Sequence, residues 1–155
     1  LRGFTVGNTG TGAKISGTSF GTLTVGNLTT PDVTLIGTGQ ALNLTTGTFA
    51  ATSGFNGVTT TSSSTSGLTL TSVAGTVAFG STTVSGNNNE CLITTSSTAD
   101  INFGNTSCTG GANGVSLSGN TAGTRTFGTL SVSGGSGNAF VHSGGGGKRL
   151  TAQPT

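Results

Sequence analysis

Three carboxylates, Asp32, Glu90 and Asp100, and a single imidazole, His142, are the whole acid–base inventory of the 155-residue chain. Hydrolysing a glycoside takes two carboxylates roughly 5–10 Å apart. Asp32 and Glu90 each stand one residue before a strand-like run, Val33-Thr-Leu-Ile and Cys91-Leu-Ile-Thr. That spacing puts both at the same corner two turns apart, about 10 Å at the usual separation of stacked strands. It is the best enzymatic arrangement the chain offers. The competing reading is favoured: an acid beside Pro31 and one beside Asn87-Asn88-Asn89 are turn formers, whose polar side chains satisfy the backbone of a bend. His142 has no Cys, Asp or second His near it in the sequence, so it lacks the partners of a base or a ligand. No Ser-His-Asp set and no metal-ligand spacing is identifiable, and the Asp-rich glycine repeats of calcium-binding solenoids are missing. Gly144 to Gly147 lacks the Gly-Lys-Ser/Thr ending of a phosphate loop. No catalytic residue, cofactor or metal is therefore expected.

The two cysteines, Cys91 and Cys108, are 17 residues apart. An isolated pair in a secreted chain points to a disulfide, which over this loop would stabilise by about 3 kcal/mol in the chain-entropy account. The alternative is two unbridged apolar core positions, with Val84 and Val132 equivalent to Cys108, and Val58 and Val115 equivalent to Cys91. Bridging needs a Cα separation below about 7 Å, and the sequence leaves both readings open.

The elements that must position these residues are repeats. Phe127-Gly-Thr-Leu-Ser-Val-Ser-Gly has near copies beginning at Phe20, Phe79 and Phe103, and the last three anchors are spaced 24 residues apart. A fixed period of strand-type residues marks a solenoid, whose repeats bury their apolar side chains only by stacking on neighbours. Thirty Gly, abundant Thr, Ser and Asn, and no Trp, Tyr or Met suit tight turns and β-strands. With 5% charged residues and a net charge of +2, the chain lacks both the basic patch of a nucleic-acid binder and the charge of a disordered segment. No apolar run is long enough to span a membrane as a helix, and no signal-peptide pattern is present. Leu1 to Gly10 already reads as repeat material, so the chain is expected to be a processed product or part of a longer protein.

In order, triples of short strands begin at 33, 58, 91, 115 and 139. The longer step from 58 to 91 implies an insertion, placed at Ser62 to Gly67. Three strands per turn predict an all-β fold, a right-handed parallel β-helix of about five to six rungs of roughly 24 residues. Residues 1–143 form this β-solenoid, and 144–155 a Gly-rich linker and tail. Parity sends Leu23/Val25, Thr82/Val84, Thr106/Cys108 and Leu130/Val132 inward. Outward, on the same strands, lie Thr22, Thr24, Ser81, Thr83, Ser85, Asn105, Ser107, Thr109, Thr129, Ser131 and Ser133. One column objects: Arg125 falls over Ile101, and a guanidinium is not expected in a dry tube. A bulge or corner shift that turns Arg125 to solvent is expected there.

Over about residues 1–143, the Thr-, Ser- and Gly-rich strands with their repeated Phe-Gly-x-x-x-Val motif resemble right-handed parallel β-helices of bacterial surface proteins, such as autotransporter-type adhesin passengers and β-strand-repeat proteins. The resemblance implies secretion, an extracellular or cell-surface location, and a structural or adhesive role. Polysaccharide-processing enzymes share the fold, so the fold alone does not choose a function. The expected function is a non-enzymatic structural or adhesive module that associates end to end, with copies of itself or with further repeats, because neither end reads as a cap. The alternative is an ice- or glycan-binding face formed by the outward Thr and Ser residues above, Asn105 and Ser131 interrupting a strict Thr-x-Thr column. Asn27-Leu-Thr, Asn43-Leu-Thr and Asn105-Thr-Ser match the N-glycan acceptor pattern, as chance allows in so Asn- and Thr-rich a chain.

Overall fold

The computed structural model of the chain describes residues 1–10, 12–144 and 149–152. Its strands, in chain order, are β1 (Phe4–Val6), β2 (Ala13–Thr18), β3 (Thr22–Leu23), β4 (Val33–Thr38), β5 (Gln40–Thr61), β6 (Leu68–Ser85), β7 (Leu92–Thr95), β8 (Asp100–Asn102), β9 (Asn105–Thr109), β10 (Val115–Ser118), β11 (Thr124–Phe127), β12 (Thr129–Ser133), β13 (Phe140–Ser143) and β14 (Arg149–Ala152). All pairings are parallel, and the strands join one 14-stranded sheet wound into a β-solenoid of about 5 turns. Among the described residues there is no helix.

The tube has three faces. Face I stacks β1, β4, the ends of β5 and β6, β9 and β12, through the column Val6, Leu35, Val58, Thr82, Thr106, Leu130. Face II stacks β2, the starts of β5 and β6, β7, β10 and β13, through Ile15, Leu42, Leu68, Leu92, Val115, Phe140. Face III stacks β3, the middles of β5 and β6, β8, β11 and β14. β5 and β6 run through the corners unbroken, so each contributes to all three faces.

Alternation dictates which side chains enter the tube. Leu42, Leu44, Leu68, Leu70, Leu92 and Leu117 are buried on face II, while the residues between them face outward. At the turn from face III to face I, Phe55, Phe79, Phe103 and Phe127 stack with ring centroids 5.0, 5.4 and 5.0 Å apart and nearly parallel planes. Each ring covers the next, so removing one exposes two neighbours. The corner between faces II and III repeats a left-handed residue at every level: Ser19, Thr46, Ser72, Ser96, Gly119 and Gly144 all have φ between 51° and 63°. Glycine adopts this conformation freely, and Ser or Thr at about 1–2 kcal/mol. The ladder continues through the bend, as in Ser96 N–H donating to Ser118 O at 2.9 Å.

Four expectations are corrected here. The strands beginning at 33 and 58 lie on face I, whereas those at 91, 115 and 139 open face II. Ser62 to Gly67 is therefore no insertion but the ordinary corner between faces I and II, equivalent to residues 86–91. Leu23 stacks on Phe49, and Thr22 on Thr48, so Thr22, Thr24, Leu23 and Val25 belong to face III and not to the column of Val84. Phe20 tilts against Phe49 at 6.0 Å instead of joining the Phe stack. Last, Arg149–Ala152 pair in register with Thr124–Phe127, so the ladder resumes inside the segment assigned to a tail from 144. Residues 145–148 and 153–155 lie outside the described residues. The predicted inward column of Val84, Cys108 and Val132 is present as drawn.

Candidate functional site

The three acids are spread out: Asp32 and Glu90 each hold a bend, and Asp100 ties β8 to the start of β11. Asp32 sits where face III turns into face I and accepts from Arg2 Nε at 3.0 Å. The Arg2 hydrogen bond, helped by the Gly3 N–H, holds its carboxyl below the usual carboxylate range. Glu90 sits at the corner of faces I and II, accepting from Asn113 Nδ2 at 3.2 Å and Ser66 Oγ at 3.5 Å. Asp32 and Glu90 thus occupy different corners, so the shared corner read from the sequence is corrected and the carboxylate pair of the enzymatic alternative does not form. Asp100, on β8, accepts the Thr124 N–H at 2.8 Å. His142 is exposed, level with Leu117.

The corner of faces I and II carries two facing columns. One runs Lys14, Ala41, Gly67, Cys91, Gly114, Ala139, fixed by the ladder that passes Leu68, Leu92 and Val115 immediately after three of them. The other runs Asn8, Gly37, Thr60, Val84, Cys108, Val132. A Cβ on Gly67 would collide with Val84 Cγ1 and with the Cys91 carbonyl, and one on Gly114 with the Ala139 carbonyl and Val132 Cγ1. Each valine therefore fills the space its glycine leaves. At the level between, Cys91 and Cys108 are bridged across a Cα separation of 5.8 Å, both fully buried. Cys91 is level with glycines, not with the valines that the sequence suggested.

The same column begins with a cation. Lys14 Nζ donates to Thr38 O at 2.8 Å, Gly39 O at 3.2 Å, Gly37 O at 3.3 Å and Thr60 Oγ1 at 3.3 Å. Thr60 Oγ1 in turn donates to Gly39 O. Burial lowers the Lys14 pKa from its ordinary value. A second buried cation corrects the sequence reading: Arg125 is 2% exposed and stacks level with Ile101 inside the tube. Its guanidinium donates to Ala122 O, to Ser97 O at 2.8 Å and to Asn120 Oδ1 at 3.1 Å. Burial lowers its pKa and the charge of Asp100 opposes that shift. The corner carbonyls made burial feasible, and they come from residues that no strand pattern singles out.

Outside the tube, hydroxyl residues line up. On face I, Thr38, Thr61, Ser85, Thr109 and Ser133 form one column, and Ile36, Thr59, Thr83, Ser107 and Ser131 another. A third contains Thr34, Gly57, Ser81, Asn105 and Thr129. The candidate residues Ser81, Thr83, Ser85, Ser107, Thr109, Thr129, Ser131 and Ser133 thus share one face, without Thr22 and Thr24. Face II carries a further column, Thr18, Thr45, Thr71, Thr95, Ser118 and Ser143. Its period was visible in the sequence once the phase of the faces is known.

The connection from face III to face I takes nine residues between β3 and β4 but two between β8 and β9. The long one folds back on the sheet: Leu28 N–H donates to Thr52 O at 3.0 Å, and Asn27 O would lie 3.2 Å from a Cβ on Gly54. Leu28, 41% exposed, stands as the wall of a groove of about 400 Å³ whose floor is three stacked strand segments, 76–78, 100–102 and 124–126.

Among the described residues no group of three or more His, Cys, Asp or Glu is placed to hold a metal, and no helix is long and apolar enough to cross a membrane. No protein-family model matches the chain, and neither a curated protein nor a solved structure matches it significantly.

Proposed function

We propose that the chain is a non-enzymatic structural or adhesive module of an extracellular surface protein, a stiff rod that spaces or assembles its neighbours. The observation that carries this reading is the unbroken register of the ladder: inward apolar columns and outward hydroxyl columns continue level by level through the described rungs. Such a ladder resists bending, because bending must stretch stacked hydrogen bonds and unstack the phenylalanines together. Asp32 and Glu90 are engaged at two different corners, with Asp100 on β8, so no two acids form a catalytic pair, which supports a role without acid–base chemistry. The buried Cys91–Cys108 bridge favours an oxidising compartment.

Leu130, Val132 and Phe140 on the last described levels of faces I and II are only partly buried. Apolar rungs whose outer edges are unpaired among the described residues favour continuation of the ladder, by further repeats of the same protein or by a second copy. Sedimentation and electron microscopy of the purified chain test this: filaments or higher oligomers are expected. A monomer at every concentration, with protected amides on β12 and β13, would reject it.

The hydroxyl columns of faces I and II support a second reading, a flat surface that orders ice or binds glycans. Thermal hysteresis at high protein concentration decides the ice arm, and its absence would remove it.

A further inference from the structure

We propose that the groove on face III binds the end of a neutral, hydroxyl-rich chain, an oligosaccharide. This gives the adhesive reading a ligand class and a site distinct from the hydroxyl columns. Rod assembly is a separate property, so the sedimentation result bears on that alone.

The floor supplies the two halves of hydroxyl recognition. Asp100 is an acceptor, with Oδ1 bound to the Thr124 N–H and its second oxygen available to a ligand. Asn102, which lines the groove, uses Oδ1 to accept the Gly104 N–H at 3.0 Å, and so has its amide NH₂, a pure donor, left for a ligand. Thr76, Thr124 and Thr126 offer hydroxyls that serve as either. A sugar hydroxyl is itself both donor and acceptor, and neighbouring hydroxyls on one ring need both kinds of partner. The pairs Thr76/Ala78, Asp100/Asn102 and Thr124/Thr126 repeat at about 4.8 Å along the axis, and the members of each pair stand about 7 Å apart along their strand. Repeated partners at fixed spacing suit a chain of repeated units.

Charge complementarity selects a neutral occupant. Asp100 is the one acid in the floor, and the buried Arg125 on the adjoining strand β11 opposes its charge. A cation seated in the groove therefore gains less than it would beside an isolated carboxylate, and an anion meets Asp100 directly. The apolar part fits as well: the Leu28 side chain and the Ala78 methyl present a surface for the C–H face of a sugar ring. Because the loop carrying Leu28 closes the groove on the N-terminal side, the site accepts the end of a chain and not its middle. A volume of about 400 Å³ lies within the usual range of small-molecule sites, about 300–1,000 Å³.

The test is a nuclear magnetic resonance titration of the whole isotopically labelled chain with four neutral hexasaccharides, of the cello, malto, manno and xylo series, at millimolar concentration. At least one should cause saturable shifts confined to the amides of 76–78, 100–102, 124–126 and Leu28. Leu28→Ala, at an exposed position that leaves the tube intact, should weaken that binding about tenfold. Absence of saturable shifts with all four sugars would overturn the proposal. So would shifts mapping to the hydroxyl columns of faces I and II, or a stronger response of the groove to a lysine hexapeptide than to any sugar.

Discussion

Lys14 and the Cys91–Cys108 bridge occupy the same corner of the tube, three levels apart in one column. The corner poses one packing problem at every level, since two inward positions face each other across a narrow gap. Near the N-terminal end the problem is met by a cation whose amine is surrounded by three carbonyls and a hydroxyl. At the levels of Gly67/Val84 and Gly114/Val132 it is met by one valine filling a glycine's space. Between those two it is met by a covalent bond. The difference teaches that one corner is closed by a polar, an apolar or a covalent lock according to the room each level leaves, and that these locks are unequal in energy.

That inequality can be measured. Replacing the bridge by its neighbours' solution, Cys91→Gly with Cys108→Val, keeps the packing and removes the cross-link, and should cost about 3 kcal/mol in denaturant unfolding. A cost near zero would mean that the bridge adds nothing to packing. Lys14→Met removes the polar lock and leaves the Gly37, Thr38 and Gly39 carbonyls without their charged donor, which should cost about 2 kcal/mol. The pH dependence sharpens this. Burial lowers the Lys14 pKa in the folded chain below its ordinary value of 10.5, so the unfolded chain binds the proton more tightly. Stability should therefore rise as pH climbs through the interval from the lowered folded value to the ordinary one, and the burial penalty applies in full below it. In Lys14→Met that rise should vanish in denaturation midpoints measured up to about pH 11. The smallest effect is a gain. Thr82 is fully buried, its hydroxyl has no hydrogen-bond partner, and it stacks between Val58 and Thr106 in its column. Thr82→Val should therefore stabilise by about 1 kcal/mol in the same assay, and Thr106→Val should not, because Thr106 Oγ1 donates to Phe103 O at 3.0 Å.

The period and the parity were legible in the sequence because Phe79, Phe103 and Phe127 recur every 24 residues and the strands after them alternate strictly. From these follow the parallel solenoid, the inward Val84, Cys108 and Val132, and the outward hydroxyls that now lie on face I. The phase was not legible. All three faces carry the same apolar/hydroxyl alternation, so assigning Cys91 to the face of Val58 violated no rule of composition, yet it created a false insertion at 62–67 and a false pairing of Asp32 with Glu90. Arg125 was misplaced for a different reason. A guanidinium is costly in a dry apolar tube, whereas this corner supplies Ser97 O, Ala122 O and Asn120 Oδ1 as acceptors. The groove on face III was hidden because Leu28 and its floor lie on levels two to four turns apart and meet only through the fold.

The central claim is that one register runs through every level, and the corner gives it a direct test. Cys91 and Cys108 face each other at this corner, with a Cα separation of 5.8 Å, only if face I and face II hold this register. Non-reducing peptide mapping of the folded chain should find the 91–108 cross-link and no free thiol. Free thiols at 91 and 108 after oxidative folding would contradict the register on which the faces, the locks and the groove depend.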